Sequence, residues 1–125
     1  MIVDTDVLIW VLRGNPKAAK AVDRARDRAI SVVSYMELLQ GARDKPEVKA
    51  IKAFLVDVRF RVLPLTENIG HRASIYVEEY GLSAGVRMAD ALVAGTAVEA
   101  HEPLLTANDR HYRAIQDLDL KSFRP

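Results

Sequence analysis

Short apolar runs alternate along this chain with longer segments whose apolar residues recur at helical spacing, and few folds accommodate that alternation. The runs are Ile2–Val3, Ile30 with Val32 and Val33, Val62–Leu65 and Leu104–Thr106. Runs this short suit strands buried on both faces. Between them, Val48, Ile51, Leu55 and Val58 form one helical stripe, and Ile69, Ala73, Tyr76, Val77 and Tyr80 form another. Strand and helix in alternation imply crossover connections and a parallel sheet covered on both faces. The expected class is α/β, a three-layer sandwich around a mainly parallel sheet of four to five strands, the last strand falling within 118–123. Gly14-Asn15-Pro16 is expected to break the first helix, Gly41 to Pro46 to separate two more, and Pro64, Gly81 and Pro103 to mark further boundaries.

With 125 residues, half of them apolar and 28% charged, the chain is expected to form one domain, residues 1–125, on one core. It has no cysteine, which excludes disulfides and thiolate metal sites and fits a reducing cytoplasm. The opening residues carry no basic segment ahead of an apolar core of signal-peptide length, and no apolar run approaches membrane-spanning length. A cytoplasmic location is therefore expected.

Three or four of the expected strand-to-helix junctions present an acidic residue. In MIVDTDVLIW, Asp4 and Asp6 follow the first run directly, where a parallel sheet collects its ligands. One aspartate there is an ordinary helix cap; two exceed what capping needs, so Asp4 is read as functional while Asp6 stands equally well as a cap. In VVSYMELLQGA, Ser34 and Glu37 have capping-box spacing, and the same placement puts Glu37 in a first helical turn on Asp4's side of the sheet. Both readings stand. Asp90 is the only charge between Arg87 and Glu99 in an otherwise small or apolar helix; it needs pairing with Arg87, hydrogen bonds from helix amides, or a bound cation. In LLTANDRHY, Thr106, Asn108 and Asp109 close the fourth run, where Asn and Asp also shape turns.

Gathered carboxylates repel one another unless a cation relieves them. Oxygen ligands without a convergent histidine or thiolate favour Mg²⁺ or Mn²⁺ over Zn²⁺, and Mg²⁺ leaves coordination positions for water and phosphate oxygens. Phosphodiester cleavage is the chemistry these residues favour. His71, His101 and His111 are scattered and read as surface or turn positions; Trp10, Tyr76, Met36 and Met88 read as packing. Arg13, Lys17, Lys20, Arg24, Arg26 and Arg28 face only Asp23 and Asp27, an excess read first as a solvated helix face and second as a contact for phosphates.

The ordered set IVDTDVLIW, SYMELLQGA, MADALVAGTA and LLTANDRHY resembles the PIN-domain ribonucleases, specifically the VapC-type toxins of prokaryotic toxin–antitoxin pairs, across the whole chain. The resemblance implies that Asp4, Glu37 and Asp90 hold Mg²⁺ or Mn²⁺, with Asp109 as the fourth acid or Asn108 in its place, depending on how the motif is counted from Thr106. It makes Thr5, Asp6 and Thr106 supporting residues and Arg87 and Arg110 contacts to the phosphate backbone. It further implies RNA as substrate, a VapB-type antitoxin as partner and a homodimer. The alternatives are a catalytically silent PIN-like module that binds RNA or protein, and a haloacid-dehalogenase-type phosphatase, whose motif the D-x-D opening echoes.

Overall fold

Strands β1 (Ile2–Val3), β2 (Ala29–Ser31), β3 (Arg61–Leu63), β4 (Leu104–Thr106) and β5 (Leu120–Ser122) pair in the spatial order β3-β2-β1-β4-β5, every pair parallel. The structure is a computed structural model and describes residues 1–125. Helices α1 (Thr5–Leu12), α2 (Pro16–Arg24), α3 (Val32–Gln40) and α4 (Lys45–Asp57) occupy the first half of the chain, and α5 (Glu67–Ala84) and α6 (Met88–Glu99) connect β3 to β4. A 3₁₀ turn (Asp109–His111) follows β4. No helix is long and apolar enough to cross a membrane.

The pleat explains how strands of two or three residues hold two cores. Ile2, Ala29 and Leu104 point into the cluster shared with α5 and α6, and their neighbours Val3, Ile30 and Leu105 point into the cluster shared with α1, α2 and α4. Ile2, Leu8, Ile30 and Leu104 are wholly excluded from solvent, each stabilising the fold by about 1.5–3 kcal/mol. The small-residue run of α6 has its own cause: a Cβ on Gly95 would stand 3.3 Å from the Ile69 carbonyl oxygen, so α5 and α6 approach closely only because that side chain is missing. One turn further along α6, Arg72 of α5 pairs with Glu99 and also with Asp117, and the Tyr76 hydroxyl donates to Asp117, tying the connection before β5 to α5.

The expected breaks at Gly14-Asn15-Pro16 and Gly41–Pro46 are present. Asn15 caps α2 by accepting from the Ala18 amide, with Pro16 at the first helical position, and Asp44 caps α4 by accepting from the Glu47 amide. Other details differ. Gly81 does not end α5; the helix runs on to Ala84 and stops at Gly85, whose φ of +73° makes the left-handed cap. Val32 and Val33 belong to α3 rather than β2, because Ser31 accepts from the Val33 amide and starts the helix three residues before Ser34. The Ser34–Glu37 capping box therefore does not form, and Glu37 sits beyond the first turn. Met36, Met88 and Val77, read as packing residues, are exposed.

Ser34 is fully buried, and its hydroxyl is the one buried side-chain polar atom without a partner. Ser34→Ala is accordingly expected to leave the chain as stable as the wild type or to stabilise it by about 1 kcal/mol in urea unfolding. A loss of that size would reveal a hidden hydrogen-bond partner.

Candidate active site

The strand order reverses direction at β1: the chain moves outward to β2 and β3, then returns to place β4 on the other side. Such a switch point opens a crevice beyond the carboxyl ends of the two strands. Asp4 leaves β1 into this crevice, its amide donating to the Leu105 carbonyl at 2.8 Å. Its carboxylate caps α1, one oxygen accepting from the Thr5 amide at 2.8 Å and the other from the Thr106 hydroxyl at 2.9 Å. Asp6, in the first turn of the same helix, accepts from the Thr106 hydroxyl at 3.3 Å and the Ala107 amide at 3.2 Å. Thr106 Oγ1 in turn accepts from the Asn108 amide at 3.1 Å. One buried hydroxyl thus links both aspartates to the loop after β4.

Glu37 arrives from α3 and accepts from the Thr5 hydroxyl at 2.7 Å. Asp90 comes from the first turn of α6. Together with Asn108, His111 and Tyr112 they line one open cleft of about 260 Å³. Arg87, offered by the sequence as a partner for Asp90, is exposed and makes no ion pair with it. None of Asp4, Asp6, Glu37 or Asp90 is paired with a cation. The electrostatic consequence is largest at Asp4: burial, then the Asp6 charge, pushes its carboxyl up to about 7, against the pull of the Thr106 and Tyr112 hydroxyls and the Thr5 amide. Burial also raises Asp6. The Tyr112 phenol is driven far above its ordinary range by burial and by the charges of Asp4 and Asp90, so it stays protonated and serves only as a hydroxyl facing Asp4.

Asp109 does not line the cleft. It accepts from the Ser122 hydroxyl at 3.1 Å, tying the 3₁₀ turn to β5, while Asn108, His111 and Tyr112 lie on the cleft side of the same turn. Arg110 is exposed, and neither it nor Arg87 lines the cleft. Sequence reasoning passed over Tyr112 and gave His111 a surface role. Their spacing of three and four residues from Asn108 was the available signal, since one helical turn brings such positions to one side.

The donor set suits a hard cation in an open site: carboxylates and an amide oxygen, with no thiolate. The side chains do not close into a three-donor cage. That is compatible with Mg²⁺, which takes one or two carboxylates and fills its remaining positions with water and phosphate oxygens.

A family model described as the PIN domain matches residues 1–117. The chain belongs to the PIN-domain family. Among relatives of this PIN domain, ribonuclease VapC19 of Mycobacterium tuberculosis is 32% identical over 122 residues, covering 94% of this chain and 95% of the relative. Ribonuclease VapC28 of the same species is 32% identical over 127 residues, covering 93% and 96%. In structure, a toxin–antitoxin complex from Klebsiella pneumoniae superposes with a TM-score of 0.84 at 22% identity, covering 99% of this chain and 98% of that one. A DNA-bound VapBC from Salmonella typhimurium gives 0.83 at 20% identity, covering 97% and 96%. At those identities the structural matches establish the PIN fold, and the phosphatase alternative falls with it.

Proposed function

We propose that this PIN domain is the ribonuclease toxin of a VapBC-type toxin–antitoxin pair, hydrolysing RNA phosphodiester bonds with Mg²⁺ or Mn²⁺. The observation that carries the reading is the convergence of Asp4, Glu37 and Asp90, unpaired with any cation, on one cleft at the sheet's switch point. The VapC ribonucleases, similar over nearly their whole length, support it. Asp4, Glu37 and Asp90 hold the cation. Asn108, which faces the cleft, takes the fourth position in preference to Asp109, which bonds Ser122. When bound, the cation supplies the acidification of water and the charge neutralisation that in-line attack at phosphorus requires. The chain's own groups prepare for this: the Thr5 hydroxyl orients Glu37, the Thr106 hydroxyl orients Asp4, and Asp6 braces the Asn108 loop through Ala107. A VapB-type antitoxin as inhibitor, a homodimer and a prokaryotic cytoplasm complete the proposal.

The test is cleavage of structured RNA by wild type and Asp90→Asn in Mg²⁺, in Mn²⁺ and in chelator. Metal-dependent cleavage by wild type is expected, abolished by chelator and reduced at least about a hundredfold in the variant. Equal cleavage by the variant would overturn the site. Metal-independent cleavage would overturn the mechanism.

A further inference from the structure

A cleft lined by four carboxylates repels a polyanion, so the affinity for RNA has to come from cations elsewhere on the molecule. The charge of this chain is unevenly spread. Residues 13–28 hold six basic and two acidic side chains, +4 of a total of +1, which leaves −3 for everything else. In the structure the excess is ordered. Lys17, Lys20 and Arg24 stand at i, i+3 and i+7 on α2, one stripe opposite the buried Ala18 and Val22, and Arg13 precedes them at the end of α1, its guanidinium 5.8 Å from the Trp10 ring centre. All four are exposed and none forms an ion pair, whereas Arg43, Arg61 and Arg72 are each engaged by a carboxylate. Arg13 leads from the stripe toward the chemistry, lining a groove with Ile9 and Glu37, both of which also line the cleft. α1 carries Thr5, Asp6 and Ile9 in the cleft at one end and Arg13 at the other, an eight-residue helix about 12 Å long, or three to four phosphates along a duplex strand.

We propose that Arg13, Lys17, Lys20 and Arg24 form a phosphate track that holds the RNA backbone flanking the cleaved bond. The proposal rests on the ribonuclease reading and adds to it where the substrate lies. The track carries no base recognition; it supplies sequence-independent affinity and orients the backbone toward α1. Flexible side chains on one exposed helical face suit a ribose–phosphate chain whose register varies, whereas a folded protein partner is held by a packed apolar centre that this stripe lacks.

The experiment measures binding of a fluorescein-labelled stem–loop RNA to Asp4→Asn protein, which holds RNA without cutting it, across a salt series. The triple variant K17Q/K20Q/R24Q is placed in the same background, with K45Q/K49Q/K52Q on α4 as a control of equal charge change. The track triple is expected to bind at least about tenfold more weakly near physiological salt, with its log–log salt slope reduced by roughly 2 to 3. The α4 triple is expected to match the parent. In a chain with Asp4 intact, the loss appears in KM. A track triple with the parent's affinity and slope overturns the proposal, as does an equal loss in the α4 triple. Failure of the ribonuclease reading looks different: salt-dependent binding through the track, with no cleavage by wild type in any metal, sinks that reading and keeps the track.

Discussion

Replacing Asp4 with asparagine removes cleavage and, in the same protein, raises the thermal stability of the metal-free chain near pH 8. The second effect follows from the carboxyl's position. Its folded-state value of about 7 lies well above the ordinary 3.8. Between those values the folded chain holds a proton that the unfolded chain has lost, so stability falls as pH rises through that window, and above 7 the full amount is missing. Three pH units correspond to roughly 4 kcal/mol. Asparagine keeps the shape and the oxygen that accepts from the Thr5 amide, but carries no charge to desolvate. The variant should therefore melt several degrees higher than wild type near pH 8, with the gain vanishing near pH 4. Added Mn²⁺ should raise the melting temperature of wild type near pH 8 and have little effect on the variant. A variant less stable than wild type by the same margin at both pH values would show that Asp4 is settled as an anion by its hydrogen bonds alone.

That strain was only half legible in the sequence. The run MIVDTD marks a strand that ends in acids, and alternation marks the sheet, because both depend on local periodicity. How deep Asp4 lies depends on what closes over it: Tyr112, more than a hundred residues away, and Thr106 from β4. The same limit explains the errors at α3. Ser31 and Ser34 are both competent caps by type, and only the register of β2 against β3, Ser31 beside Leu63, decides that the strand stops at Ser31 and frees its hydroxyl for the Val33 amide. Glu37 was found for its position on the cleft side, although the capping role that competed for it does not form. At the fourth motif, the sequence left Asp109 and Asn108 open, since the choice turned on how the motif is counted from Thr106. The turn geometry puts Asn108 on the cleft side and sends Asp109 to Ser122. The methionines misled for a related reason: Met36 and Met88 have core chemistry but stand on the outward sides of α3 and α6.

Thr106 is the residue on which the assembled site most depends, since a single hydroxyl is shared by Asp4 and Asp6 and accepts from the Asn108 amide. Thr106→Val preserves shape and strand preference at a position with no solvent exposure, so its effects isolate the hydroxyl. Asp4 then keeps the Thr5 amide and the Tyr112 hydroxyl as its donors, and the Asn108 amide loses its acceptor. The expected cost is about 2–3 kcal/mol of folding stability. The rate with saturating RNA should fall roughly 10- to 100-fold, the range seen when a group that orients a metal ligand is removed. Thr106→Ser separates the two contributions. It keeps the hydroxyl and deletes a buried methyl, so it should recover most of the rate while remaining about 1 kcal/mol less stable than wild type. Urea unfolding and single-turnover cleavage of the same three proteins make the comparison. A valine variant that cleaves within about twofold of wild type would mean that Asp4 is held well enough by the helix N-terminus and the Tyr112 hydroxyl, and that the link across β1 and β4 serves the fold without serving the chemistry.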